Sequence, residues 1–419
     1  MNFLKKIDIL YIATLVFLLL SSFSNFLFSG NVYWIIGTLF IFIIAIIRKS
    51  FTKKDVTFFM VLAVVFMVFV STRDIFINSL QTIFLLSDGA YLVKYILFAY
   101  IYVVLLKDQA PKYIVLVTVH LTVISFFFYF LQLIGLGQFI HDIPIMLNMP
   151  PSAYQDEGYS NFLIFGITLN RHDYANSGFL WEPGSYGCFL LIAALLNFLT
   201  NKFKFDGKAI ILLIGMFTTL STTTYLSAMI LLLLAYRVRV PKLNPWLLLI
   251  IPAIVAAFLL IPFLWEKIAK SYDSDAVDIT RLNTLEKFYR RQHTQIPLGR
   301  FSSMYLINDF FGQKLFLGYS NKYNDVLNRK NDVNISNGIF DFMARFGLVG
   351  LIYLIGSFLR FCYGYVRRPE LLVYCGLLIL TMNFGEPTLA LPITIIFLFW
   401  PFMQETKKKK DPLPQNNIN

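Results

Sequence analysis

Charged residues are scarce in this chain of 419 residues, where Asp, Glu, Lys and Arg together make up only 14%. Hydrophobic residues make up 57% and aromatic residues 17%, and the mean hydropathy is +0.66. A soluble domain of this length would have to expose much of that apolar surface to water, which is unfavourable. The composition therefore excludes a soluble protein and predicts that lipid surrounds most of the chain.

Cysteine and histidine are also scarce, with three and four residues respectively. Cys188, Cys362 and Cys375 lie in or beside apolar segments and lack the close spacing of metal-binding cysteines. We therefore expect no disulfide. The outer segments described below contain no group of carboxylates at metal-ligand spacing, so no metal or other cofactor is expected.

The apolar residues form long continuous runs, which favour helices over the alternating pattern of a membrane barrel. Because a bilayer takes about 20 apolar residues per helix, we predict an all-α polytopic membrane protein of about twelve transmembrane helices. The predicted spans are 8–27, 32–47, 56–71, 91–106, 113–139, 184–200, 209–220, 222–236, 246–264, 339–361, 371–385 and 388–403. They form one transmembrane domain, 1–403, in which 209–236 and 371–403 are hairpins of short helices.

The positions of the basic residues predict how the spans are oriented. Clusters of Lys and Arg, from Lys5 and Lys6 to the run 407–410, all fall on one side of the predicted membrane domain. By the positive-inside rule both termini are cytoplasmic, and the loops 140–183 and 265–338 are extracytoplasmic. The tail 404–419 is predicted to be a disordered basic cytoplasmic end. The net charge of +12 is explained by these membrane anchors, so a nucleic-acid partner is not expected.

The first outer loop ends in charged residues at the start of a predicted span. Glu182 precedes Pro183, which suits the first position of a helix, and a carboxylate there is favoured by the helix dipole. A structural role as a cap would explain Glu182 by itself. Its place at the membrane boundary, near Arg171 and His172, makes catalysis an equally good interpretation.

The second outer loop carries four arginines. Apolar residues between Arg281 and residue 293 recur at helical spacing and predict an amphipathic helix on the membrane, whose Arg290 and Arg291 face lipid or substrate phosphates. After a break at 297–299, Arg300 begins a second helical pattern. An arginine in a first helical turn opposes the helix dipole, which indicates another role, such as binding phosphate through its bidentate fork. Within the membrane, Lys94 and Arg73 either reach toward the interface or add charge to the same outer cavity.

Four features of the chain resemble the bacterial O-antigen polymerase family (Wzy), within the O-antigen ligase/polymerase superfamily. They are Arg171 leading to Glu182-Pro183-Gly184, the hydroxyl-rich segment 220–223, Arg300 followed by 315–319, and Asn337-Gly338 running into 345–350.

The resemblance implies a GT-C-like glycosyltransferase that joins undecaprenyl-diphosphate-linked oligosaccharides, one as donor and one as acceptor, on the outer face of the bacterial inner membrane. A chain-length regulator and a flippase are further implied partners, together with membrane lipids. Fixed cations must stabilise the departing diphosphate, and Arg300 and Arg171 are the first candidates. Glu182 and then His172 are candidates for the base that takes the proton of the acceptor hydroxyl. Further candidates for binding the substrate are Arg290, Arg291, Arg281, Tyr319, Asn337, Lys94 and Arg73.

Two alternatives remain open. A flippase of the same lipid-linked sugar would be expected to carry ionisable groups near the bilayer midplane, whereas the charges here gather in the outer loops. Ligases of the superfamily place an essential histidine near the end of the second loop, where this chain has Asn334-Ile335-Ser336-Asn337. Both observations favour the polymerase.

Overall fold

The computed structural model describes residues 8–22, 25, 27, 31–77, 81–150, 158–169, 174–239, 269, 273, 275, 296–328 and 333–404. The predicted span 246–264, the predicted amphipathic helix between 281 and 293 and the tail 405–419 lie outside these residues.

The described chain is helical with a few short strands. The first half contains α1 (Ile9–Ser21), α2 (Asn31–Ile47), α3 (Lys53–Ile77), α4 (Thr82–Tyr91), α5 (Phe98–Leu106), α6 (Ala110–Leu131), α7 (Gly137–Met146), β1 (Tyr159–Asn161) and β2 (Gly166–Thr168). The second half contains α8 (Pro183–Thr200), α9 (Gly207–Thr218), α10 (Thr222–Arg239), β3 (Ile296–Pro297), α11 (Arg300–Phe311), α12 (Tyr323–Asn328), β4 (Val333–Asn334), α13 (Gly338–Val366), α14 (Leu372–Gly385), α15 (Pro392–Ile395) and α16 (Trp400–Met403).

Apart from 246–264, every predicted span coincides with one or more of these helices. Short connections join the helices of both predicted hairpins, since α9 and α10 are separated only by 219–221, and α14 and α15 by 386–391. The span predicted at 91–106 is longer than expected, because helix begins at Thr82 and continues through a π-helical segment, Leu92–Leu97, into α5. A 3-10 segment, Ile396–Phe399, joins α15 to α16.

Among the described residues, four helical stretches are long and apolar enough to cross a membrane: Lys53–Ile77, Thr82–Met146, Pro183–Thr200 and Gly338–Val366. Together with the shorter apolar helices, they support a multi-pass membrane protein. Helix α8 lies at the centre, with nearly all of its residues buried against α6, α9, α10, α13 and α14. Helix α3 lies at the periphery and exposes a row of valine and methionine side chains, as lipid-facing helices do.

A small second core lies at the end of the bundle where α8 and α13 begin. It is formed by α11, α12 and the parallel pair β3–β4, with Ile307, Phe311, Leu327 and Val333 among its buried side chains. Helix α11 packs on α13. This packing fixes where α11 starts, and therefore where Arg300 lies.

Candidate active site

Three charged side chains that are distant in sequence meet at this end of the bundle. Glu182 precedes α8, Arg300 begins α11, and Glu386 follows the last residue of α14. Arg300 Nη2 lies 3.6 Å from Glu386 Oε1, and the carboxyl groups of Glu182 and Glu386 lie in contact. We call Glu182, Arg300 and Glu386 the central cluster.

Glu386 is held at the tip of the α14–α15 hairpin. The turn is fixed by the Thr388 hydroxyl, which donates to Oδ1 of Asn383 at 2.7 Å. The Glu386 residue is only 2% exposed, and the Ser185 hydroxyl donates to its Oε2 at 2.6 Å. Arg300 also donates from Nε to the carbonyl oxygen of Gly385 at 3.3 Å. The carboxyl group is therefore buried between α8 and α11.

Two glycines leave the space that Glu386 occupies. A Cβ atom at Gly184 would lie 2.1 Å from Glu386 Oε1, and one at Gly338 would lie 2.1 Å from the Glu386 carbonyl oxygen. Both distances are far inside van der Waals contact. The glycines of the Glu182-Pro183-Gly184 and Asn337-Gly338 motifs therefore allow α8 and α13 to close around this residue.

Glu182 occupies the N-cap position of α8, but its side chain makes no capping hydrogen bond. Its Oε1 instead accepts from Trp181 Nε1 at 3.1 Å, and its carboxyl group contacts that of Glu386. Glu182 is partly exposed, whereas Glu386 is buried. Glu182 therefore lies at the cap position that the sequence predicts, without a capping hydrogen bond from its side chain.

The environment of Glu386 favours its protonated form. Burial, and then the negative charge of Glu182, raise the pKa of Glu386 well above its ordinary value, against the opposing effects of Arg300 and Ser185. A carboxyl group taken out of water loses the solvation of its charged form, and a second carboxylate nearby adds repulsion.

Arg300 lies at the first position of α11, as the sequence predicts. The amides of Phe301 and Ser302 donate to Oδ2 of Asp275, at 2.8 and 3.4 Å, so that this carboxylate caps the helix. The Asn337 side chain caps α13 and donates to the Arg300 carbonyl oxygen at 3.2 Å. The Arg300 side chain is 35% exposed, so part of its guanidinium group can meet a ligand.

A second set of charged and polar side chains lies nearby, and its members bond to one another. We call it the loop network, and its members are Arg73, Asp88, Asn321, Tyr323, Asp341 and Arg345. Arg73 pairs with Asp88 and donates to the carbonyl oxygen of Arg345 at 2.8 Å, and both side chains of the pair are fully buried. Arg345 binds Asp341 through two bonds of 2.9 Å. This geometry favours a structural role for Arg73, which ties α3 to α4 and α13.

The remaining described candidates lie in different surroundings. The Lys94 ammonium contacts Oδ1 of Asn31 at 3.3 Å and lies 5.1 Å from the centre of the Trp34 ring, so it packs against α2. Tyr319 donates its amide to the Ala344 carbonyl oxygen at 2.7 Å, beside the loop network. Arg171, His172, Arg281, Arg290 and Arg291 lie outside the described residues.

Sequence patterns alone did not single out Glu386, Ser185 or Asp275. The sequence did indicate Glu386, because a carboxylate at the tip of a hairpin between two apolar helices costs free energy and is therefore typical of a functional residue. Ser185 and Asp275 carried none, because their roles arise only from tertiary contacts. Across the described ranges, no group of three or more His, Cys, Asp or Glu side chains is arranged to hold a metal ion.

The central cluster places a partly exposed cation beside a partly exposed carboxyl group. Arg300 can stabilise negative charge, and Glu182 can accept a proton within the same small space. The positive end of the α8 dipole also lies here, where the Glu182 side chain makes no capping hydrogen bond. The arrangement suits chemistry in which an anion departs while a hydroxyl group loses its proton.

Comparison with known families finds one match within the chain. Residues 208–355, roughly a third of the sequence, match the family model described as O-antigen ligase. The matched segment contains Arg300 and Asn337, whereas Glu182 and Glu386 lie on either side of it. It supports the similarity to the O-antigen ligase/polymerase superfamily, whose members are glycosyltransferase-like enzymes of polysaccharide biosynthesis. No curated protein and no solved structure gives a significant match.

Proposed function

We propose that this protein is a glycosyltransferase that polymerises a surface polysaccharide, such as O-antigen. It joins oligosaccharide units carried on a polyprenyl diphosphate, and it works on the outer face of the bacterial cytoplasmic membrane. The observation that carries the proposal is the contact of the partly exposed Arg300 with Glu386, which in turn contacts Glu182, in a chain with a segment similar to O-antigen ligases.

Each member of the central cluster has a place in this reaction. Arg300 binds the diphosphate of the donor and stabilises the charge that develops as it leaves, as fixed cations do best where water is excluded. Glu182 accepts the proton of the attacking sugar hydroxyl. Arg171, whose position lies outside the described residues, remains a proposed second cation at the diphosphate.

An apolar cavity next to the site fits the lipid part of such a substrate. It has a volume of about 280 Å³ and lies between α3 and α13, where Phe66, Phe342 and Val349 are among its lining residues. Phe342 is four residues after Gly338, which contacts Glu386, so cavity and cluster are separated by about one helical turn. We propose that the cavity holds the first isoprene units of the donor.

The experiment is elongation of a polyprenyl-diphosphate-linked oligosaccharide by the purified protein in lipid vesicles. We expect Arg300→Ala to reduce elongation by about 10²–10³-fold, the loss typical of removing one group that stabilises transition-state charge. Arg360→Ala, an exposed arginine near the other end of α13, is the matched control and should elongate normally. Full polymer from Arg300→Ala, made at normal protein levels, would contradict the role of Arg300.

The same assay separates the alternatives. The ligase is the second candidate, favoured by the description of the family that matches 208–355. A ligase would transfer the glycan to lipid A core and would not elongate it on the carrier. A flippase would move the lipid-linked glycan across the vesicle membrane without forming a glycosidic bond.

A further inference from the structure

Glu386 is buried beneath Glu182, and the contact between these residues requires a proton. An ionised carboxylate has only acceptor atoms, so two of them cannot hydrogen bond to each other unless one carries a hydrogen. The carboxyl groups of the two glutamates lie in contact, and that of Glu386 is buried. Two carboxyl groups that share one site are stable when one of them is protonated, so we infer that the pair holds a proton.

The charge balance of the central cluster leads to the same conclusion. If both glutamates were ionised, the cluster with Arg300 would carry a net negative charge next to a buried carboxyl group, which is costly. One proton makes it neutral. Of the two carboxyl groups, that of Glu386 is the buried one, and burial raises its pKa most strongly, followed by the charge of Glu182. The proton therefore belongs on Glu386.

We propose that Glu386 is a positioning residue of the transferase, which keeps its proton throughout the reaction and donates it in a hydrogen bond to Glu182. This inference rests on the proposed function. Glu182 is thereby held as an ionised carboxylate at the exposed side of the pair, where it can meet the acceptor hydroxyl. Ser185 on one side and Arg300 on the other fix the orientation of the Glu386 carboxyl group.

The step then balances without another reactant. The acceptor oxygen forms a bond to the anomeric carbon of the donor, and the bond from that carbon to the diphosphate oxygen breaks. Its electron pair leaves with the diphosphate, beside Arg300. The hydroxyl proton passes to Glu182, which later releases it to water, while the proton of Glu386 stays in place.

A dependence on pH follows, with a defined sign. The titratable or charged groups that face Glu386 are Glu182 and Cys188 from α8 and Arg300 from α11. From α10, the uncharged Thr223 lies beside Gly385. From α13, Gly338 lies against the Glu386 backbone. Glu386 is protonated below its raised pKa. As the pH rises through that pKa, a second negative charge appears, and binding of the anionic donor should weaken. Activity should therefore fall on the alkaline side.

The test is the pH–rate profile of Glu386→Gln in the vesicle assay. A glutamine amide can donate to Glu182 and accept from Ser185 but cannot ionise. We expect less than about tenfold loss at neutral pH, since one neutral hydrogen bond replaces another, and the alkaline fall should disappear. Glu182→Gln should lose about 10²–10⁴-fold at every pH. Glu370→Gln, on an exposed glutamate, should match the unmodified protein.

A second measurement does not depend on turnover. The infrared spectrum of the protein in lipid at neutral pH should contain a protonated-carboxyl band that Glu386→Gln removes and Glu182→Gln keeps. A profile of Glu386→Gln that keeps the alkaline fall, complete inactivity of this variant, or an unchanged infrared band would each overturn the proposal. A protein that shows the band but never forms a glycosidic bond would instead contradict the proposed function.

Discussion

At the scale of single residues, two arginines at the same end of the bundle differ in how far the protein encloses them. Arg73 and Asp88 are both fully buried, whereas Arg300 is 35% exposed beside the buried Glu386. The protein encloses Arg73, whereas part of the Arg300 guanidinium group stays within reach of a ligand. This difference favours a structural role for Arg73 and agrees with the proposed role of Arg300, although the sequence offered both as candidates for the same cavity.

The buried Arg73–Asp88 pair predicts that removing one partner destabilises the fold strongly. Asp88→Asn leaves the guanidinium of Arg73 buried without a counter-charge, which costs about 3–5 kcal/mol in comparable cases. Thermal unfolding of the purified protein should therefore occur at a clearly lower temperature. The control is Asp325→Asn, which breaks the exposed pair with Lys322 and should cost less than about 1 kcal/mol. Equal unfolding temperatures for the two variants would contradict the structural role of the Arg73–Asp88 pair.

At the scale of helices, the sequence predicted most of the elements because long apolar runs leave few alternatives to membrane helices. Helix α4 was missed since Ser87, Asp88 and Gly89 lower its hydropathy. The structure pairs Asp88 with Arg73, fifteen residues away, and hydropathy does not register such a pair. For the same reason, hydropathy predicts only a hairpin, 371–403, around Glu386. Its proposed role depends on Ser185 and Arg300, which reach it from elements that no local pattern connects.

The cavity between α3 and α13 gives a prediction about these two helices. Val65 and Val64 are neighbours on α3 with 60% and 58% exposure, but only Val65 lines the cavity. Val65→Trp should narrow the cavity and raise the KM for the polyprenyl-linked donor several-fold. Val64→Trp should have no such effect, because its side chain lines a separate groove with Met60 and Met67. If both variants behave alike, the cavity takes an ordinary membrane lipid and not the donor.

At the scale of the whole molecule, the central cluster, the loop network and the second core all lie at the end of the bundle where α8 and α13 begin. The basic clusters that predict the cytoplasmic side lie at the opposite end, for example at Lys204 between α8 and α9 and at Arg367 after α13. The positive-inside rule therefore predicts that the candidate site faces the extracytoplasmic side, as the proposed reaction between exported glycans requires.

Labelling of single cysteines tests this orientation. Lys322→Cys lies between α11 and α13, and Lys204→Cys lies between α8 and α9, and both positions are exposed. A thiol reagent that cannot cross membranes should label Lys322→Cys in intact cells and Lys204→Cys only after lysis. The native cysteines are buried at 2% exposure or less and should add little background. The opposite pattern would invert the topology and remove the site from the outer face.

The matched segment, 208–355, contains Arg300 but neither Glu182 nor Glu386. If that segment were exchanged as a block for its counterpart from a similar enzyme, the hybrid would inherit a foreign arginine and keep its own acid pair. Donor recognition and proton handling would then come from different parents. Such hybrids would be active only where α11 of one parent packs correctly on the α14–α15 hairpin of the other. Donor recognition and proton transfer are therefore expected to evolve together.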